Sequence, residues 1–196
     1  ATIIDFTNKT APTSGVGYAL GAAAQVGDVI VVLVRDLVIN VHATGTVSGA
    51  TCTLAEQQWV SNGASSWTTN TILTGVVTVA GTPTVAITST GGLALSWSAY
   101  IVRGLSSATK NGGASASGTS DPLTAAITTN TLCALFCMYN NQGGGGFTAF
   151  NGSITSSASG SVYAYGYQLD VSAGAKTPGV DVSSAEAGNT FSAIYL

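Results

Sequence analysis

The stretch VAGTPTVAI at residues 79–87 is answered near the far end of the chain by SAGAKTPGVDV at residues 172–182. Each phrase runs from Ala-Gly through Thr-Pro into residues of alternating polarity. Proline cannot donate into a central β-ladder, so a Pro shortly after a glycine turn marks a strand entrance. Pro83 and Pro178 therefore predict the same corner in two similar halves. The likeness extends in both directions. GDVIVVLV (27–34) is answered by TLCALFCM (131–138), and CTLAEQQW (52–59) loosely by FTAFNGS (147–153). TILTGVVTVAG (71–81) is answered by VYAYGYQLDVSAG (162–174), and WSAYIV (97–102) by FSAIYL (191–196). Five strand-sized units thus recur in one order, most of them at an offset near 93 to 95 residues. This predicts a duplicated Greek-key half; two similar solutions of one sheet-building problem are the alternative.

Helical periodicity is scarce, while short runs rich in Val, Ile, Thr, Tyr and Trp recur between Gly, Ser, Asn and Pro clusters. The clearest alternation is LALSWSAYI, where Leu93, Leu95, Trp97, Ala99 and Ile101 share one face, a core face. The expected fold is all-β, a jelly-roll-like β-sandwich of two duplicated Greek-key halves. Residues 1–16 read as an N-terminal strand or arm and 17–196 as a single sandwich domain. Its half-repeats span about 27–104 and 130–196, with a Ser/Gly/Ala-rich linker at about 105–129. A chain of 196 residues buries roughly 70% of its unfolded surface, so neither disulfides nor a metal are needed to hold it.

Charge narrows the partners. Only 7% of residues are charged and the net charge is −3, against a typical charged fraction of about 25%. Five scattered Lys and Arg cannot neutralise a run of phosphates, so nucleic acid is an unsuitable partner. The longest aliphatic run, VIVVLV at 29–34, ends at Arg35, far short of a membrane span. No basic segment precedes an apolar one at the start, so no secretory signal and no membrane partner are expected. Cys133 and Cys137 would stand about 13 Å apart along a strand, too far for a disulfide. They and Cys52 read as small buried hydrophobes, as expected of a chain made in a reducing cytoplasm.

Chemistry-bearing motifs are sparse. His42 is the only histidine, sits in no Ser-centred elbow and has no CxxC near it, so no catalytic residue and no metal site is expected. NNQGGGG at 140–146 lacks the Lys-Ser/Thr ending of a phosphate loop, and no cofactor is expected. Aromatics are more informative. Tyr163, Tyr165 and Tyr167 fall on one strand face, to serve either as core or interface packing or as a sugar-stacking platform. Trp59 and Trp67 are the other candidate glycan or interface aromatics. Three lysines are too few to guard the edges of several strands, and a mean hydropathy of +0.40 without a membrane segment points to surface covered by neighbours.

The order GDVIVVLV, TCTLAEQQW, TGVVTVAGTPTVAIT, LSWSAYIVRGL and a second round ending FSAIYL resembles a β-sandwich module of bacteriophage structural proteins. Gly27 and Asp28 match the turn that launches its first core strand, residues 51–54 its second motif, and residues 97–104 its closing aromatic strand and Arg-Gly turn. Cys52 stands where that module carries Trp, and no His or acid cluster carries over. The resemblance implies a virion surface protein made in the host cytoplasm. It would be a capsid decoration (cement) or head-surface protein that stabilises the particle as a homo-oligomer, most simply a trimer, against a major capsid or tail protein. The alternative is a carbohydrate- or receptor-binding module of a tail fibre or bacterial surface protein, with a surface glycan as partner.

Overall fold

Runs of Val, Ile, Leu and aromatic residues form the central strands, because β-branched and aromatic side chains suit a pleated, buried surface. The computed structural model describes residues 1–38, 41–62, 68–89, 95–142, 146–184 and 188–196. It is all-β, 63% strand, with several antiparallel sheets and no helix among the described residues. The first half carries β1 (Thr2–Thr10), β2 (Gly17–Ala19), β3 (Val29–Asp36), β4 (Thr44–Ser48), β5 (Thr51–Cys52), β6 (Ala55–Asn62), β7 (Thr68–Val79), β8 (Thr84–Thr88) and β9 (Ser96–Arg103). The second carries β10 (Gly112–Ser117), β11 (Leu123–Thr124), β12 (Ile127–Thr129), β13 (Cys133–Asn140), β14 (Phe147–Phe150), β15 (Thr155–Gly160), β16 (Tyr163–Val171), β17 (Gly174–Lys176), β18 (Gly179–Val182) and β19 (Thr190–Tyr195).

Both halves use one strand order. The first has a large sheet β1-β9-β3-β7, with β5 and β6 on the far side of β7, and a small sheet β2-β8-β4. The second has a large sheet β10-β19-β13-β16-β15, a small sheet β11-β18-β14 and a separate β12-β17 pair. The two prolines mark the same corner in each. Leu20 N donates to Pro83 O at 2.8 Å and Ala125 N to Pro178 O at 3.0 Å. Register refines the sequence offset. Gly75 and Ile101 flank Ile30 as Gln168 and Tyr195 flank Leu135, so β7/β16 and β9/β19 are 93 and 94 apart. Val85 and Val180 hold equal places in the small sheets, 95 apart. Ile30 and Leu135, however, stand 105 apart. The uniform offset fails there because the chain between the matched strands β3 and β7 is longer than that between β13 and β16.

Each half is itself two sheets enclosing an apolar interior, so the two halves do not share one sandwich core. Ile30, Val32, Val34, Leu73, Val85, Ile87, Trp97 and Ile101 fill the first interior. Leu135, Cys137, Tyr139, Phe150, Val180, Phe191 and Tyr195 belong to the second. Period-2 alternation sends the remaining residues of the same strands outward. Val31, Leu33, Ile72 and Tyr100 there meet Phe136, Met138, Tyr165 and Ile194, so the large sheets pack back to back through a third cluster. This explains why β3 and β13 are buried at every position: both faces of each strand are covered.

Two stretches differ from the sequence reading. Residues 105–129, expected to be a linker, contain β10, β11 and β12. The GGASAS of β10 carries no β-branched residue, and β10 lies against the first half. A Cβ at Gly113 would lie 2.9 Å from Gln58 Oε1, and Gln58 Nε2 donates to Ser115 Oγ at 2.9 Å. Residues 1–16, read as a strand or arm, begin with β1, paired with β9 from Thr2 to Thr10. The strand half of that reading describes residues 2–10: they form an outer strand of the large sheet rather than a detached arm.

Candidate functional site

The tyrosine stripe lies between the halves. Tyr165 is fully buried, its hydroxyl 2.7 Å from Ser96 Oγ of the first half. Tyr167 meets the Tyr100 ring edge-on at 5.9 Å, and Tyr163 lies under the Arg35 guanidinium at 5.5 Å. Burial pushes the Tyr165 phenol well above its ordinary value. These rings form packing between the sheets; Tyr163 and Tyr167 are only partly exposed at its margin. Trp67 lies outside the described residues.

A buried polar cluster closes the same seam at one end. Arg35 Nε donates to Asn140 Oδ1 at 2.7 Å, and Asn140 Nδ2 to Asp36 O at 3.2 Å. Asn141 Nδ2 and the Tyr139 hydroxyl both donate to Asn189 Oδ1, at 2.8 and 2.7 Å. Arg35 and Asn140 hold matching places on β3 and β13, so they meet where the halves face each other. Burial lowers the Arg35 pKa and raises that of Asp36, which accepts a hydrogen bond from the Ser89 hydroxyl. The cluster fixes the register of one sheet on the other.

The exposed chemistry-bearing group is elsewhere, at Trp59, His42 and Glu56. Trp59 and Glu56 lie three apart on β6, which in a regular strand would put them on opposite faces. The register shifts between Glu56, opposite Leu73, and Gln58, opposite Ile72, leaving Gln57 as the extra residue of a bulge. Trp59 opposite Thr71 then shares a face with Glu56 opposite Leu73. That face lines the first interior, yet Leu73 and Thr71 are buried while Trp59 is 37% exposed. The reason is sheet width. A small sheet of three strands cannot cover a large sheet of six, and the outer strand β6 overhangs it. His42, in the segment between β3 and β4, completes the group. Its Nδ1 is 2.6 Å from Glu56 Oε2 and its ring 4.1 Å from that of Trp59. The side chains of His42 and Glu56 are 39% and 34% exposed.

Sequence reasoning singled out Trp59 but found no acid beside His42. Glu56 is fourteen residues from His42, and the bulge in β6 turns it to the face where His42 meets it. No motif spacing announces such a pair. Among the described residues, no three His, Cys, Asp or Glu converge as metal ligands, and no helix is long and apolar enough to cross a membrane.

Two further features are structural. All three cysteines are free and buried, and burial pushes the Cys52 thiol up to about 11 and that of Cys137 higher still. Asp28, at the turn that launches β3, accepts from Arg103 Nε and Nη2 at 2.9 and 2.8 Å and from Gln25 N at 2.8 Å. Those bonds, the Arg103 pair foremost, hold its carboxyl below the usual carboxylate value. The Gly-Asp and Arg-Gly turns of the sequence are thus one clasp across β3 and β9. Compared with protein-family models, curated proteins and solved structures, the chain has no match.

Proposed function

We propose that this protein is a non-enzymatic structural component of a bacteriophage particle, a decoration or head-surface protein that works as a closed oligomer, a homotrimer, against a major capsid or tail protein. The observation that carries the assembly reading is the outer face of the β2-β8-β4 sheet. Thr44 stands opposite Thr88, Thr46 and Gly17 flank Ala86, and Ser48 and Ala19 flank Thr84. This gives a face of short side chains with no charge, while Val85 and Ile87 point into the interior. The sheet's two edge strands, β2 and β4, likewise carry no charge, and monomeric β proteins usually guard such edges with lysine or other charge. The corresponding sheet of the second half carries Asp181 opposite Ala149. The bacteriophage setting rests on the sequence resemblance; the face supports only the assembly.

Light scattering over a range of concentrations tests it. A discrete mass near three times 19.4 kDa is the expected result, and Thr46→Lys, in the middle of the edge strand β4 beside Ala86, is expected to return the protein to a folded monomer. A 19.4 kDa species at every concentration, or a trimer indifferent to Thr46→Lys, would remove the support.

A further inference from the structure

We infer that the shelf formed by Trp59, Glu56 and His42 is a binding site for a neutral hexopyranose, a function separate from the proposed assembly face. The shelf lies on the inward side of β6, beyond the cover of the small sheet, whereas the assembly face is the outward side of β2-β8-β4. Both can be occupied in one particle.

The chemistry follows from three groups held at fixed positions. An indole offers a large apolar plane with a π-face, against which the C–H groups of a pyranose ring stack. Trp59 is the one exposed large aromatic among the described residues with titratable side chains directly beside it, since Phe6, the other, stacks on Tyr100 at the seam. Glu56 supplies acceptors for sugar hydroxyls: Oε2 is occupied by His42 Nδ1, and Oε1 makes no hydrogen bond within the described residues. That short contact also orients the imidazole, leaving Nε2 directed away from Glu56 as a second polar contact. A flat apolar plane with a few fixed polar groups at its rim is the composition of a small-ligand site.

The sign of the charge selects the class. Glu56 is the carboxylate at the shelf, and the basic side chain nearest along this strand, Lys110, bonds Gln58 on the opposite face of β6. An anionic sugar would meet a like charge that only a protonated His42 offsets. A neutral pyranose donates its hydroxyl protons to Glu56 and meets no such penalty. The bulge is the second support. A regular strand would point Glu56 away from Trp59, and bulges recur where a strand re-aims a side chain for use.

The test is titration of the intact, isotopically labelled chain with methyl β-galactopyranoside, methyl β-glucopyranoside and lactose, read at the Trp59 indole N–H resonance and at the Glu56 backbone amide, which remains the reporter in Trp59→Ala. Methyl β-glucuronide, a pyranose of the same shape with a carboxylate at C6, is the anionic control. The expected result is a saturable shift with at least one neutral sugar, weakened about tenfold or more by Trp59→Ala. Glu56→Gln keeps the shape, removes the charge and is expected to weaken the same sugar several-fold while the rest of the spectrum stays unchanged. Retention on galactan or amylose resin distinguishes a polymeric glycan from a free sugar as the source, and retention with either supports the site. No saturable shift with any neutral probe and no retention would overturn the inference. So would equal binding of methyl β-glucuronide, or binding untouched by both substitutions. Because the assembly reading is judged by mass and by Thr46→Lys, the two fail independently.

Discussion

Replacing Phe136 by alanine probes the seam between the two halves. Phe136 is at the middle of β13, between Tyr167 of β16 and Ile194 of β19, and is fully buried. Its ring faces the other large sheet, 5.4 Å from that of Tyr100 and inclined at 59°. Surrounding side chains such as Tyr100, Tyr165 and Ile194 are themselves fully buried between the two large sheets, so they cannot collapse far into the space left. Phe→Ala at such a site costs about 3–5 kcal/mol. Unfolding entropy of about 2.1 cal/mol/K per residue gives about 0.4 kcal/mol/K for a chain of this length. A loss of about 4 kcal/mol therefore lowers Tm by about 10 °C. Calorimetry measures the shift, and thiol alkylation during the melt reports each half separately, through Cys52 in the first and Cys133 and Cys137 in the second. If the shared cluster couples the halves, both sets of thiols become reactive at one temperature, and Phe136→Ala lowers that temperature for both. A shift under about 3 °C, or thiols of the two halves reacting at separate temperatures in the unaltered protein, would refute the reasoning.

The two buried carboxylates predict opposite pH behaviour. Asp28 has a folded pKa below its ordinary 3.8, so its clasp contributes stability above that value and loses it as pH falls through the folded pKa. Asp28→Asn is expected to cost about 2 kcal/mol at pH 7, a gap that closes in melts at strongly acid pH. Asp36 has a folded pKa above 3.8 because it is buried, so stability is lost as pH rises through that range. Asp36→Asn is expected to raise Tm at pH 7 and to leave it unchanged well below pH 3.8; a loss at pH 7 would show that the charge is satisfied where it lies. Gly81→Ala tests the close approach of two backbones. The added Cβ would lie 1.9 Å from Gly49 O, and a loss of about 1–3 kcal/mol in denaturant melts is expected, whereas an unchanged midpoint would show that the loop yields freely.

Much of the fold was legible because strands write themselves into a sequence with period 2, and the repeated Thr-Pro corners with their flanking runs marked two similar halves. The linker reading failed at β10 because GGASAS carries no β signal; those residues are strand because β19 supplies backbone partners. The Tyr163, Tyr165 and Tyr167 face was visible as a face, yet its neighbours were not. Alternation says which side chains travel together, and only packing says what they meet. The same limit hid the layering: Val29, Val31 and Leu33 look as fit for an interior as Ile30, Val32 and Val34, and the structure assigns them to two different interiors. His42 and Glu56 show the sharpest division. By itself the sequence determined the all-β class, the doubling and the scarcity of charge, since these are properties of local pattern and composition. The tertiary structure alone decided which residues share a site, because one bulged residue in β6 and the unequal widths of two sheets set Glu56, His42 and Trp59 side by side.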